Sequence, residues 1–260
     1  MLTLIRQEFY KLGKRKTTFI LPVVVMAFML IAAIMTKQLV KESNTPINGT
    51  AIFTQLFSAT TWIVYLMIFA GSTLITQEFE YGTIKNLLYR QYSRGQVLLS
   101  KWITLLILNV FYFVISTIFA ILLKVIFFPS IKFNSMIDNH SVVNELWLTI
   151  VGAFITTWLV LSLVVMMSTL FKNSAVSVTF GVVFYIATSA MGMFETMAIE
   201  RWDWIKWSPL NMMNLKTQIM MPELHHVTHL QTNTMLWMTL VYVAAFLAIG
   251  YFAFTRRKNY

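Results

Sequence analysis

Cysteine is absent from the 260 residues, which removes disulfides and thiolate metal sites from consideration. Charge is scarce as well: Asp and Glu number 10 against 20 Lys and Arg, and charged residues make up 12% of the chain where hydrophobic ones make up 58%. At a mean hydropathy of +0.69, a water-soluble domain would lack the polar surface to cover itself. The parts of common catalytic sites are missing too. Gly13-Lys14 is followed by Arg15, and Glu8 stands where a Gly-x-x-x-x-Gly-Lys phosphate loop needs its first glycine, so ATP hydrolysis by that route is excluded. There is no His-Glu-x-x-His, no Gly-x-Ser-x-Gly and no intramembrane carboxylate pair. No catalytic residue, resident metal or cofactor is therefore expected. His225 and His229 stand one helical turn apart beside His226, and they read either as interfacial polar residues or as metal ligands.

What the chain does have is apolar length. About 20 apolar residues cross a hydrocarbon core of about 30 Å, and six runs qualify: Thr17 to Thr36, Leu56 to Thr76, Trp102 to Phe128, Leu146 to Phe171, Ala175 to Phe194 and Met235 to Thr255. The expected fold is all-α and polytopic, one membrane domain over 1–260, with its first run too long for a signal-peptide core. Basic residues set its orientation. Thirteen lie at the termini or in the second and fourth connectors (Arg6, Lys11, Lys14, Arg15, Lys16, Lys85, Arg90, Arg94, Lys101, Lys172, Arg256, Arg257, Lys258), against seven elsewhere. Both termini are expected in the cytoplasm of a plasma-membrane protein, its positive charge meeting anionic lipid headgroups. Nucleic acid is not an expected partner, because these residues hug the span ends rather than one folded face.

Three segments outside the spans carry pattern. Residues 1–16 place Leu2, Ile5, Phe9 and Leu12 on one stripe, which predicts an interfacial helix ended near Gly13. Residues 77–100 form a cytoplasmic connector in which Tyr81, Ile84, Leu87 and Leu88 share an arc, while Glu78, Gly82, Thr83 and Lys85 face away and Glu80 intrudes. That predicts a coupling helix for a soluble partner, its carboxylates open to charge-assisted bonds and Gly82 allowing close approach at a helix cost of about 1 kcal/mol. Residues 195–234 hold Trp202, Trp204, Trp207, Met212 and Met213, with Pro209 and Pro222 breaking the segment into pieces. They are expected to form short re-entrant helices on the outer leaflet or a small external cap packed on the spans, with Asn109 a further candidate for the substrate pathway. The spans contain no Asp, Glu, His or Arg, which disfavours an ion-coupled transporter. Ser177-x-x-x-Gly181 allows close helix contact, within the chain or between subunits.

The connector resembles that of the membrane subunits of type 2 ABC exporters, which include lantibiotic-immunity, bacitracin-resistance, sodium-export and phenol-soluble-modulin permeases. Their Glu-x-Glu-x-Gly-Thr, Leu run, Ser-Arg-Gly and Lys are matched at Glu78, Glu80, Gly82, Thr83, Leu87, Leu88, Ser93, Arg94, Gly95 and Lys101, with Gln91 where the family often has Pro. The resemblance implies a half-transporter. A second copy or paralogue pairs with it, a soluble ATPase holding ATP and Mg docks on the connector, and the segment before the last span lines an external gate. An interior with 17 Met suits amphipathic or membrane-active peptides, or similar hydrophobic compounds. The alternatives are a secondary transporter and a sensor or scaffold that recruits a soluble protein.

Overall fold

The computed structural model describes residues 1–43, 60–82, 92–129, 136–137, 140–171, 173–190 and 192–256. It is built from helices: α1 (Leu2–Lys14), α2 (Lys16–Ser43), α3 (Thr60–Glu80), α4 (Arg94–Phe127), α5 (Val142–Phe171), α6 (Ser174–Ala190), α7 (Gly192–Arg201), α8 (Pro209–Met212), α9 (Leu215–Met220), α10 (His225–Thr228) and α11 (Thr232–Thr255). Two 3₁₀ turns, Asp203–Trp207 and Pro222–Leu224, and a two-residue antiparallel pair, Met136–Ile137 with His140–Ser141, complete the described elements.

Among the described residues, five helices are long and apolar enough to cross a membrane: α2 over Lys16–Gln38, α3 over Trp62–Glu80, α4, α5 over Leu146–Phe171, and α11. The remaining run differs from expectation. Its helix α6 has 17 residues, about 25 Å at 1.5 Å per residue, and the chain starts a separate helix at Gly192 rather than continuing to Phe194. Gly13 also departs from its predicted role, since α1 continues through it to Lys14 and the extended backbone of Arg15 makes the turn into α2.

The most heavily packed helix is α5, which lies against α11, α3, α6 and α9. Its buried Thr156, Thr157, Ser162, Ser168 and Thr169 would be costly in an apolar core, but each hydroxyl donates to a carbonyl three or four residues back. In α2, Pro22 cannot donate to the carbonyl of Thr18; the Tyr112 hydroxyl of α4 donates to it instead, at 3.3 Å. Gly181 on α6 sits where an added Cβ would overlap Val164 Cγ2 and lie 2.9 Å from Ile68 Cγ2. The Ser177-x-x-x-Gly181 face is thus spent on packing within the chain, against α3 and α5.

The segment after α6 descends beside α5 and returns. Met220 Sδ accepts from Thr149 Oγ1 at 3.5 Å, Lys216 crosses at Gly152, and Met212 and Leu215 pack with Leu159, midway along the apolar stretch of α5. The turn at Met213 is therefore the deepest point of a V whose arms are 203–212 and 215–220. Buried amides hold it closed. Asn211 Nδ2 donates to the carbonyls of Lys206 and Thr228 at 2.7 and 3.0 Å, and Gln218 Nε2 donates to that of Leu230 at 2.8 Å.

Candidate functional site

The C-terminal end of α3, where the chain enters the connector to α4, is the centre of the site. The connector's first residues, Gln77 to Glu80, are the last turn of α3 rather than the start of a separate helix. That turn brings Glu78 inward against α1 and α4. Lys101 Nζ donates to Glu78 Oε1 at 3.0 Å, to Glu8 Oε1 at 3.4 Å and to the Leu74 carbonyl at 2.7 Å. An ammonium has three donors, and here all three are used. Lys11 Nζ completes a ring, donating to Glu8 Oε1 at 2.9 Å and to Glu78 Oε1 at 3.0 Å. Glu8, Glu78 and Lys101 are buried, Lys101 to 1% exposure. Burial pulls the Lys11 ammonium down, but Glu8 and Glu78 outweigh it and leave its pKa above the ordinary value.

Glu80 works on the opposite side. Its Oε1 accepts from the backbone N–H and hydroxyl of Ser174 at 3.0 and 2.8 Å, placing a carboxylate at the start of α6, where a helix leaves N–H groups unpaired and favours negative charge. The two carboxylates of Glu-x-Glu therefore tie α3 to α1, α4 and α6. Aromatic packing adds α11, because Phe79 meets Phe254 edge-on at 5.7 Å and Leu98 of α4 packs on the same ring. Gly82 follows at φ +65°, the left-handed conformation that ends helices. Nothing lies within 4 Å of a Cβ built there, so Gly82 stops α3 instead of sitting inside a coupling helix. Tyr81 beside it is exposed. On the far side of the connector, Ser93 and Gln96 form a reciprocal capping box, which starts α4 about two turns before the expected Trp102. Thr83, Ile84, Lys85, Leu87 and Leu88 lie outside the described residues.

Of the six pathway candidates, the fold gathers no single cluster. Asn109 is fully buried in α4 with neither amide atom hydrogen-bonded among the described residues. Met212 is buried and Met213 half-buried at the tip of the V, while Trp202, Trp204 and Trp207 are exposed above it. The His225 and His226 rings lie with centroids 3.8 Å apart, tilted by 40°, and His225 Nδ1 is 2.8 Å from the Pro222 carbonyl. Sequence reasoning missed Glu8 and Lys11 as site members and missed Glu195. The available signal for the first two was their opposite charge at i, i+3 on one amphipathic helix.

Glu195 accepts from Asn214 Nδ2 at 3.2 Å while its other oxygen is buried without a hydrogen bond. Burial raises its pKa above the ordinary value, and the Asn214 bond opposes this only in part. A carboxyl raised on folding contributes stability below its unfolded pKa, and that contribution is lost as pH rises through the folded value. Glu195→Gln should remove this pH dependence and keep the Asn214 bond. Thermal unfolding of wild type and variant, from the acidic carboxylate range to neutrality, checks it; parallel curves for the two proteins would refute it.

A family profile described as ABC-2 family transporter protein matches residues 4–188. The chain is 28% identical over 161 residues to uncharacterized protein YhcI of Bacillus subtilis strain 168, covering 58% of this chain and 50% of that protein. It is 26% identical over 198 residues to uncharacterized membrane protein YdbK of the same organism, covering 74% and 77%. The match thus spans half the length of the first relative and about three quarters of the second. With its helices long enough to cross a membrane and a matched region that takes in α3, α4, all of α1 from Leu4 on and the carboxylates of the ionic ring, the chain belongs to the ABC-2 family of transporter proteins and is a multi-pass membrane protein of that family.

Proposed function

We propose that the chain is the permease half of an ATP-driven exporter, moving amphipathic or membrane-active peptides, or similar hydrophobic compounds, outward. A second copy or paralogue completes the pathway, and a separate soluble ATPase binds ATP and Mg and docks on the cytoplasmic connector. The observation that carries this reading is the attachment of α3 at the end that leads into the connector. Glu78 joins it to α1 and α4 through Lys101 and Lys11, and Glu80 joins it to α6. A push on the connector is then delivered to four helices at once, because a buried ion pair that loses a partner is far more costly than one that moves as a unit. Glu78 takes part as a positioning residue, while Tyr81, Gly82 and the residues after it present the docking surface. The V that turns at Met213, reaching from the middle of α5 toward its N-terminal end, serves as the external gate.

Orientation and partnership are tested together. Cysteines introduced at Lys85 and Ser43 should label from the cytoplasmic and outer sides respectively, and the tagged permease should retain an ATPase whose hydrolysis in vesicles responds to amphipathic peptides. Labelling of both positions from outside intact cells would contradict the orientation, and flux without any ATPase would favour a secondary transporter.

A further inference from the structure

Beside the ionic ring, at the junction of α1 and α2, lies a cavity of about 450 Å³. Its charged lining is unbalanced: Lys11, Lys14, Arg15 and Lys101 face it, against Glu8 and Glu78. Both carboxylates are already held by Lys101 and Lys11. Arg15 is half-buried and has no carboxylate within ion-pair distance among the described residues. Desolvation lowers its pKa, and the distant fields of Glu8, Tyr81 and Glu78 offset that only partly. A guanidinium in that position is short of an anion. Lys14 stands nearby, its ammonium 5.5 Å from the Tyr10 ring.

A second cavity of about 210 Å³ adjoins the first and shares Arg15 and Gln77 with it. It runs between α2, α3 and α4, and its deeper lining is apolar: Leu21, Leu66, Phe69, Ala70 and Leu108. Arg15 immediately precedes the first membrane-crossing stretch, which is the depth of lipid headgroups and of basic residues that meet them. The two cavities together describe an amphipath, with an anionic head at Arg15 and an apolar tail reaching into the bilayer between helices.

We propose that this paired cavity is a binding site for an anionic phospholipid of the cytoplasmic leaflet, its phosphate held by Arg15 with Lys11 and Lys14 and one acyl chain lying between α2 and α3. Arg suits the phosphate because its planar fork matches two oxygens and is more weakly hydrated than an ammonium. The lipid would fill the space beside the ionic ring and steady α1 against α3, so it bears on the same joint as the proposed coupling without depending on which partner docks there.

The test uses the full-length chain extracted from vesicles of phosphatidylglycerol and phosphatidylcholine with identical acyl chains, with retained lipid counted by native mass spectrometry. Wild type should retain phosphatidylglycerol in preference. Arg15→Gln should reduce that retention roughly tenfold, the scale of one charge-assisted contact, while Arg15→Lys keeps part of it. Ala70→Leu, which fills the apolar cavity and leaves every charge in place, should lower retention of both lipids. Equal retention of the two lipids by wild type overturns the proposal, as does phosphatidylglycerol retention unchanged in both Arg15→Gln and Ala70→Leu. Displacement by water-soluble glycerophosphate would show a phosphate site without a tail and also overturns it. If Arg15→Gln leaves lipid unchanged and instead releases a bound ATPase, the cavity takes an acidic group of the partner and the lipid assignment fails.

Discussion

Lys101→Met should cost the folded protein about 3–5 kcal/mol, because it removes the cation that saturates two buried carboxylates and leaves Glu8 and Glu78 sharing Lys11 alone. Lys11 is the weaker of the two anchors, with 39% of its side chain exposed. The methionine keeps the volume of the Lys stem, so the loss comes from charge and not from a cavity. Neutralising one carboxylate as well, in Lys101→Met with Glu78→Gln, should recover much of the stability, since the remaining Glu8 and Lys11 pair is balanced. The recovered double variant is the informative protein. If the ring transmits force from the connector, the variant inserts, folds and binds its ATPase, yet hydrolysis no longer responds to substrate. An unchanged unfolding midpoint in Lys101→Met would show that the ring does not hold α1, α3 and α4 together.

The second large effect is expected at Gly181. Replacing it with Leu drives a side chain into Val164 and Ile68, whose branched Cβ atoms have little rotamer freedom to yield. Overpacking of this kind costs about 1–3 kcal/mol. With only 17 residues, α6 has few other contacts to share the strain, and it also carries Ser174, the group that Glu80 caps. Gly181→Leu should therefore lower the thermal midpoint in detergent and loosen the attachment of Glu80. Val164→Ala should restore part of the loss by opening space opposite. A midpoint that stays put while the oligomer dissociates would assign this face to a subunit interface instead.

The membrane class and most of the crossings were legible in the sequence because the spans are uniformly apolar, and length alone identifies such helices. Their ends were less so. Gln77 to Glu80 extend α3 because no helix breaker precedes Gly82, and Ser93 with Gln96 starts α4 early by capping; both signals are local and were present in the chain. The ionic ring was not legible. Glu78 reaches Lys101 across 23 positions and Lys11 across 67, and no periodicity reports which charges three helices will bring together. The motif singled out Glu78 and Glu80, which the fold ties to neighbouring helices, yet a carboxylate in a polar connector reads as exposed until the helix carrying it is seen to continue. The Trp and Met residues of the 195–234 segment looked like one set for a similar reason. Helices of four to six residues are too short for a periodic face, so their sorting into exposed Trp and buried Met212 depends on how the V packs against α5.

The central claim is that a separate ATPase drives this permease through the connector between α3 and α4. A photo-crosslinking amino acid placed at Lys85, in membranes that contain the intact complex, tests it most directly. The account predicts a covalent product between the permease and a soluble ATPase from position 85, changed in yield by ATP, and none from the same group placed at Ser43. Efficient export by the Lys85 variant with no ATPase crosslinked from position 85, or from its neighbours Ile84 and Leu88, would contradict it.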